Sequence, residues 1–235
     1  MPPVRHQIPL RVGLTDEASF ENFYSGHTAN SNLLNHLQAG TPDLVYLYGT
    51  AHSGVSHLLI AISKQAERLG QRTQYIPLKE LLDAPAAMLS QLDSLDLLCL
   101  DDIDSVARLD DWQLEIFHLF NRLREQGAGI VFGGHLVPAE LQIDLADLRS
   151  RILSGQTWAI SELDDVDKLV VLKKRATLRG FNLSDAVAKY LLGREQRDMS
   201  NLMKRLDQLD RLSLQEKKLV TLPMVKKVIE NQEAI

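Results

Sequence analysis

Cysteine is nearly absent. Cys99 is the one thiol in 235 residues, which excludes an internal disulfide and fits a reducing cytoplasm. It sits inside an apolar run, where a thiol serves as a small core side chain rather than a nucleophile. Long apolar runs are also missing. No stretch approaches the roughly 20 residues that a bilayer-spanning helix requires, and Met1-Pro2-Pro3-Val4-Arg5-His6 lacks the apolar core of a signal peptide. A cytoplasmic chain with no membrane partner is expected. Positive charge is not in excess either. Net charge is −5, and Lys204, Arg205, Lys217, Lys218, Lys226 and Lys227 alternate with acids, as on solvated helix faces. Nucleic-acid backbones are met by clustered Lys and Arg, so direct sequence-specific DNA binding is not expected. With 45% hydrophobic and 24% charged residues, the rest reads as an ordinary globular chain without repeats.

One absence is local and more informative. Gly49-Thr50-Ala51-His52-Ser53-Gly54-Val55-Ser56 follows the phosphate-loop pattern G-x-x-x-x-G-K-[ST], except that Val55 stands where the lysine belongs. In that pattern backbone N–H groups surround the phosphates, the lysine reaches the β/γ oxygens, and the hydroxyl, here Ser56, ligates Mg²⁺. The flanks agree. Leu44 to Tyr48 reads as a buried strand, and Ser56 to Leu69 as a helix with Leu58, Leu59, Ile62, Ala66 and Leu69 on one face and Gly70 as its stop. A loop with its cradle but without its lysine is expected to hold a nucleotide better than it hydrolyses one.

Along the chain, residues 1–14 form a short leader and Asn30 to Gln38 a helix ended by Gly40 and Pro42. Strands are expected at 44–48, 73–77, 96–100, 128–132 and 156–160. Helices are expected between them at 56–69, 78–82, 86–94, 112–126 and 144–153. Such alternation implies an α/β fold, a parallel sheet covered on both faces. After Asp164 the strands stop, and 165–179, 184–194, 199–213 and 223–232 read as amphipathic helices, with Ser184 an N-cap and Pro223 a first-turn proline. The expected division is therefore 15–164, an α/β nucleotide-binding domain, and 165–235, an all-helical domain.

Further features carry chemistry. Leu95-Asp96-Leu97-Leu98-Cys99-Leu100-Asp101-Asp102 is an apolar strand ending in two acids. Asp101 would hold Mg²⁺ through water, and Asp102 stands where a glutamate polarises the attacking water. One methylene shorter, it reaches less well, which counts against hydrolysis. At the end of the next strand, Gly133 and Gly134 cannot sense a γ-phosphate. His135 either does so or is a surface histidine on a glycine turn. In Leu148-Arg149-Ser150-Arg151-Ile152, Arg151 lies on a helix just before the last strand.

This ordered set, together with Lys174-Arg175-Ala176-Thr177-Leu178-Arg179-Gly180-Phe181 and Leu206-Asp207-Gln208-Leu209-Asp210-Arg211, resembles the AAA+ ATPases of the bacterial replication-initiator (DnaA) clade. The resemblance covers nearly the whole chain. It implies a P-loop AAA+ parallel five-stranded sheet with a C-terminal helical lid. It makes Arg151 an arginine finger that acts in a neighbour's site, and it makes Asn22, Phe23 and Tyr24 part of the segment that clasps the base. Nucleotide contacts are then expected from these three and from Gly49, Ser53, Gly54, Val55, Ser56, His57, Asp101 and Asp102, with Mg²⁺ on Ser56 and Asp101. The clade's lid arginine would fall at Ser200, and Arg197, one turn earlier, is its substitute. The losses converge on the γ-phosphate, so the expected ligand is a diphosphate, ADP.

The initiator ends in a helix-turn-helix DNA-binding domain, for which this chain is expected to have no room after its lid. The resemblance then points to a regulator rather than an initiator. Within the leader, Gln7-Ile8-Pro9-Leu10-Arg11-Val12 is similar to the peptide by which replication proteins dock on the sliding clamp, with Gln7, Ile8, Pro9, Leu10 and Val12 as contacts. The implied function is negative regulation of replication initiation: a nucleotide-bound protein on the DNA-loaded clamp that stimulates ATP hydrolysis by the initiator, with little ATPase activity of its own. The alternatives are an autonomous P-loop ATPase such as a helicase loader, and a binding module without finger function. Assembly as a homodimer or larger homo-oligomer is left open.

Overall fold

The computed structural model describes residues 18–26, 28–194, 199–216 and 218–230. It forms two compact units that part between Ser161 and Glu162. The first holds α1 (Thr28–Gln38), β1 (Leu44–Tyr48), α2 (Val55–Arg68), β2 (Thr73–Pro77), β3 (Leu97–Asp101), α3 (Asp110–Glu125), β4 (Gly129–Gly134), α4 (Ala146–Leu153) and β5 (Gln156–Ala159). All pairings between the five strands are parallel, in the order β2-β3-β4-β1-β5. The expected five-stranded parallel sheet is thus present.

Strand alternation sends side chains to two cores. Val45, Leu47, Cys99 and Val131 face Leu33 and Leu37 of α1 and Leu58, Leu59 and Ile62 of α2. Tyr46, Leu98, Leu100, Ile130 and Phe132 face Ile116, Leu119 and Leu123 of α3 and Leu148 of α4. Helix α2 forms because its apolar residues recur at helical spacing, and it stops where Gly70 takes φ +78°. Gly70 then donates to Glu67 O and Gln71 to Ala66 O, satisfying carbonyls the helix leaves open.

Two helix expectations are corrected. The short helix expected at 78–82 is a 3-10 segment, Leu78–Leu81. The stretch read as a helix at 86–94 is a 3-10 segment, Ala86–Gln91. It begins after Pro85 and ends before Ser94, whose φ is +61°, and its Ala86 and Leu89 pack into the core that α3 covers. The strand expected at 128–132 is Gly129–Gly134, so Gly133 and Gly134, for which a glycine turn is one of the two alternatives, pair with Leu47 and Tyr48 instead. Their bareness serves packing: a Cβ at Gly134 would lie 2.6 Å from Tyr46 Oη and 2.9 Å from Asp104 Oδ1.

The second unit comprises α5 (Asp165–Leu178), α6 (Asp185–Arg194), α7 (Met199–Glu216) and α8 (Leu222–Glu230). These helices enclose Leu172, Ala176, Leu191, Leu202, Leu206 and Val225. Asp164 caps α5, its carboxylate accepting the Asp167 N–H at 2.8 Å. Among the described residues, no helix is long and apolar enough to cross a membrane.

Candidate nucleotide site

Strand order creates the site. The loop after β1 and the acids after β3 meet across the end of β4, which lies between those strands. Ligands of open α/β sheets bind at such carboxyl ends. The loop, residues 49–54, runs from β1 into α2, the Gly54 carbonyl accepting from Leu58 N–H (3.0 Å) and that of Thr50 from Ser53 N–H (3.0 Å). Gly54 has φ +106°, open to glycine at little cost, and a Cβ there would also meet Phe23 Cε2 at 2.8 Å. His52 takes φ +69°. Ser53 Oγ is buried with no hydrogen-bond partner among the described residues, and a Cβ at Gly49 would collide with it. A cradle kept bare, an orphaned hydroxyl and the amino end of a 14-residue helix fit a phosphate group. Ser56 is exposed on the first turn of α2.

The segment before α1 closes over this loop. The Phe23 ring lies against Gly54 and tilts at 53° to the His57 ring, centroids 5.6 Å apart. His57 Nε2 donates to the Ser19 carbonyl (2.9 Å), and the N–H groups of Asn22 and Phe23 donate back to that same carbonyl (3.2 and 3.1 Å). His57, expected as a ligand contact, therefore ties the segment carrying Asn22, Phe23 and Tyr24 to α2.

The γ-phosphate end is different. Val55 is 8% exposed and packs into the core beside Leu59 rather than projecting outward. A Cβ at Gly133 would lie 2.9 Å from Val55 Cγ1, 2.9 Å from Leu59 Cδ2 and 2.8 Å from Asp101 Oδ1. The two places where a lysine and a polar sensor would converge are thus filled by one isopropyl group and one bare α-carbon. Asp101 accepts the Asp102 N–H on Oδ1 (3.0 Å) and the Tyr75 O–H on Oδ2 (2.7 Å). Burial, then the Asp101 charge, push the Tyr75 hydroxyl far above its usual pKa, so it remains a donor. Sequence reading missed Tyr75, because the adjacency of β2 and β3 that sets it beside Asp101 is a property of strand order, not of spacing.

Asp102 sits in left-handed backbone (φ 55°, ψ 44°). Burial, then the Asp101 charge, raise its carboxyl above the usual carboxylate range, while His135 pulls the other way. His135 lies at 3.0 Å from Asp104 and 3.7 Å from Asp102, so it answers to the acids after β3.

Arg151 lies elsewhere. It is exposed on α4 and its guanidinium stands 5.9 Å from the Phe120 ring centroid. It lines a recess with Leu44, Arg124 and Ser154, at the start of β1. Gly155 lets the chain approach there: a Cβ on it would lie 2.8 Å from Leu44 Cγ. The phosphate loop is at the other end of β1, a five-residue strand spanning about 16 Å. That span exceeds an arginine side chain, so Arg151 cannot reach its own loop. Arg197 and the leader residues 7–12 lie outside the described residues.

Comparison with known proteins follows this geometry. A family model of the bacterial DnaA ATPase domain matches residues 14–159, and one of the Hda lid domain matches residues 165–229. An uncharacterized protein of Haemophilus influenzae is 39% identical over 229 residues, covering 95% of this chain and 98% of that protein. Domain III of the replication initiation protein DnaA of Thermotoga maritima is similar with TM-score 0.76 and 21% identity, covering 92% of this chain and 97% of that one. DnaA of Aquifex aeolicus, solved with AMPPCP bound, is similar with TM-score 0.69 and 23% identity, covering 85% and 67%.

Proposed function

We propose, for a chain that belongs to the bacterial DnaA ATPase-domain family and carries an Hda-type lid, a regulatory role: it lends an arginine to a DnaA initiator and so speeds the initiator's hydrolysis of ATP. The chain is a DnaA-related AAA+ protein, and the finer reading rests on one observation. Arg151 stands at the rim opposite its own phosphate loop, so it serves a second molecule's site or none. A cation over an aromatic ring is released at less cost than one in a buried ion pair. Its fixed charge and forked donors suit the transition state of phosphoryl transfer.

The chain's own loop holds a nucleoside diphosphate, ADP, as a resident ligand. Support comes from the intact cradle at Gly49, Ser53 and Gly54 and from the filled space at Val55 and Gly133. Asn22, Phe23 and Tyr24 take the base side. The leader's Gln7-Ile8-Pro9-Leu10-Arg11-Val12 docks on the sliding clamp, which brings the protein to replicating DNA without DNA contacts of its own.

The test is single-turnover conversion of ATP to ADP on the initiator in the presence of DNA-loaded clamp. Arg151→Ala should lose a factor of about 10³ or more in stimulation with clamp and nucleotide binding unchanged. Arg149→Ala, about 200° round the helix, should be much milder. Gln7→Ala with Leu10→Ala should lose clamp binding and stimulation together while the melting temperature holds. Equal losses at the two arginines would refute the finger.

A further inference from the structure

The family's phosphate loops imply a hydrated Mg²⁺ between the loop hydroxyl, here Ser56, and the acid ending β3. The residues around Asp101 do not fit it. A metal-bound water is a strong donor that needs an open carboxylate oxygen facing the phosphates. Asp101 is 2% exposed. One oxygen receives the Tyr75 hydroxyl and the other the N–H of Asp102. On the β4 side of Oδ1, the place a Cβ on Gly133 would take is already crowded by Leu59 Cδ2 and Val55 Cγ1, each 2.9 Å from it. The neighbouring Asp102, in left-handed backbone, has its carboxylate 3.7 Å from His135.

We infer that this chain binds its nucleoside diphosphate without a divalent cation, Val55 and Tyr75 having withdrawn Asp101 from the metal position. The inference rests on reading the loop as a diphosphate cradle. What remains to neutralise the diphosphate is the amino end of α2, with its partial positive charge, and the Ser53 hydroxyl, which has no hydrogen-bond partner among the described residues.

The test is a fluorescence-anisotropy titration of the full chain with an N-methylanthraniloyl analogue of ADP, in Mg²⁺ and in EDTA. Binding in EDTA equal to or tighter than in Mg²⁺ is expected. Weakening by about tenfold in EDTA overturns the inference and leaves the diphosphate reading standing. No binding in either buffer overturns both. A Val55→Ala, Tyr75→Phe double variant, checked for folding by its melting curve, opens the path to Asp101. Mg²⁺ should strengthen its binding by about tenfold, and an unchanged metal response in a folded variant would refute the role given to these side chains. If the variant does not fold, the wild-type comparison alone decides.

Discussion

At the scale of residues, the site is defined by what each side chain is prevented from doing. Asp102 shows this most directly. Burial, then the neighbouring Asp101 charge, hold its carboxyl above the ordinary value of 3.8. An acid with a raised folded pKa favours the fold when protonated. That contribution is complete below the unfolded value and is lost as pH rises through the higher folded value. At neutral pH the ionised carboxylate therefore costs stability. Asp102→Asn should raise the melting temperature near pH 7, and its advantage should shrink as pH falls to about 4. An advantage independent of pH would instead reflect asparagine's tolerance of left-handed backbone. The loop's missing lysine was plain in the sequence. The destination of its replacement was not, because the burial of Val55 depends on Gly133, 78 positions later in the chain.

At the scale of elements, periodicity carried most of the information. The parallel sheet and its strands follow from apolar runs and alternation, and the strand at 44–48 has the expected bounds. The failures share a cause. The 3-10 segment at Ala86–Gln91 and the extension of β4 through Gly134 are decided by tertiary surroundings rather than local propensity. Capping, by contrast, is local. The Asp164 carboxylate accepts the Asp167 N–H at the start of α5, where it also meets the positive end of the helix. Asp164→Ala should lower stability by about 1 kcal/mol, measured by urea denaturation followed through far-UV circular dichroism. Asp164→Asn should recover most of the loss, since it keeps the acceptor.

At the scale of the whole molecule, the two units differ in what reports on them. Both tryptophans, Trp112 and Trp158, lie in the unit that carries the phosphate loop. Tryptophan fluorescence therefore follows that unit, whereas circular dichroism follows both. A ligand that binds only the folded form stabilises by RT ln(1 + [L]/Kd). ADP at about 100 times its Kd should stabilise the fluorescence-detected transition by about 2.7 kcal/mol, and an equal concentration of AMP should do far less. A transition that ADP leaves unmoved would remove the nucleotide from this unit.

The crowding of Gly133 against Val55 also orders any path of descent back to a hydrolytic site. A side chain added first at 133 meets a β-branched neighbour on a helix, held to one rotamer and unable to swing aside. Lysine placed first at 55 is unbranched and can turn away, which removes the Val55 contact and leaves Leu59 and Asp101 to give at 133. The two losses are independent on paper, yet their repair is sequential, with position 55 first. Relatives that regain a side chain at 133 should already have lost the valine.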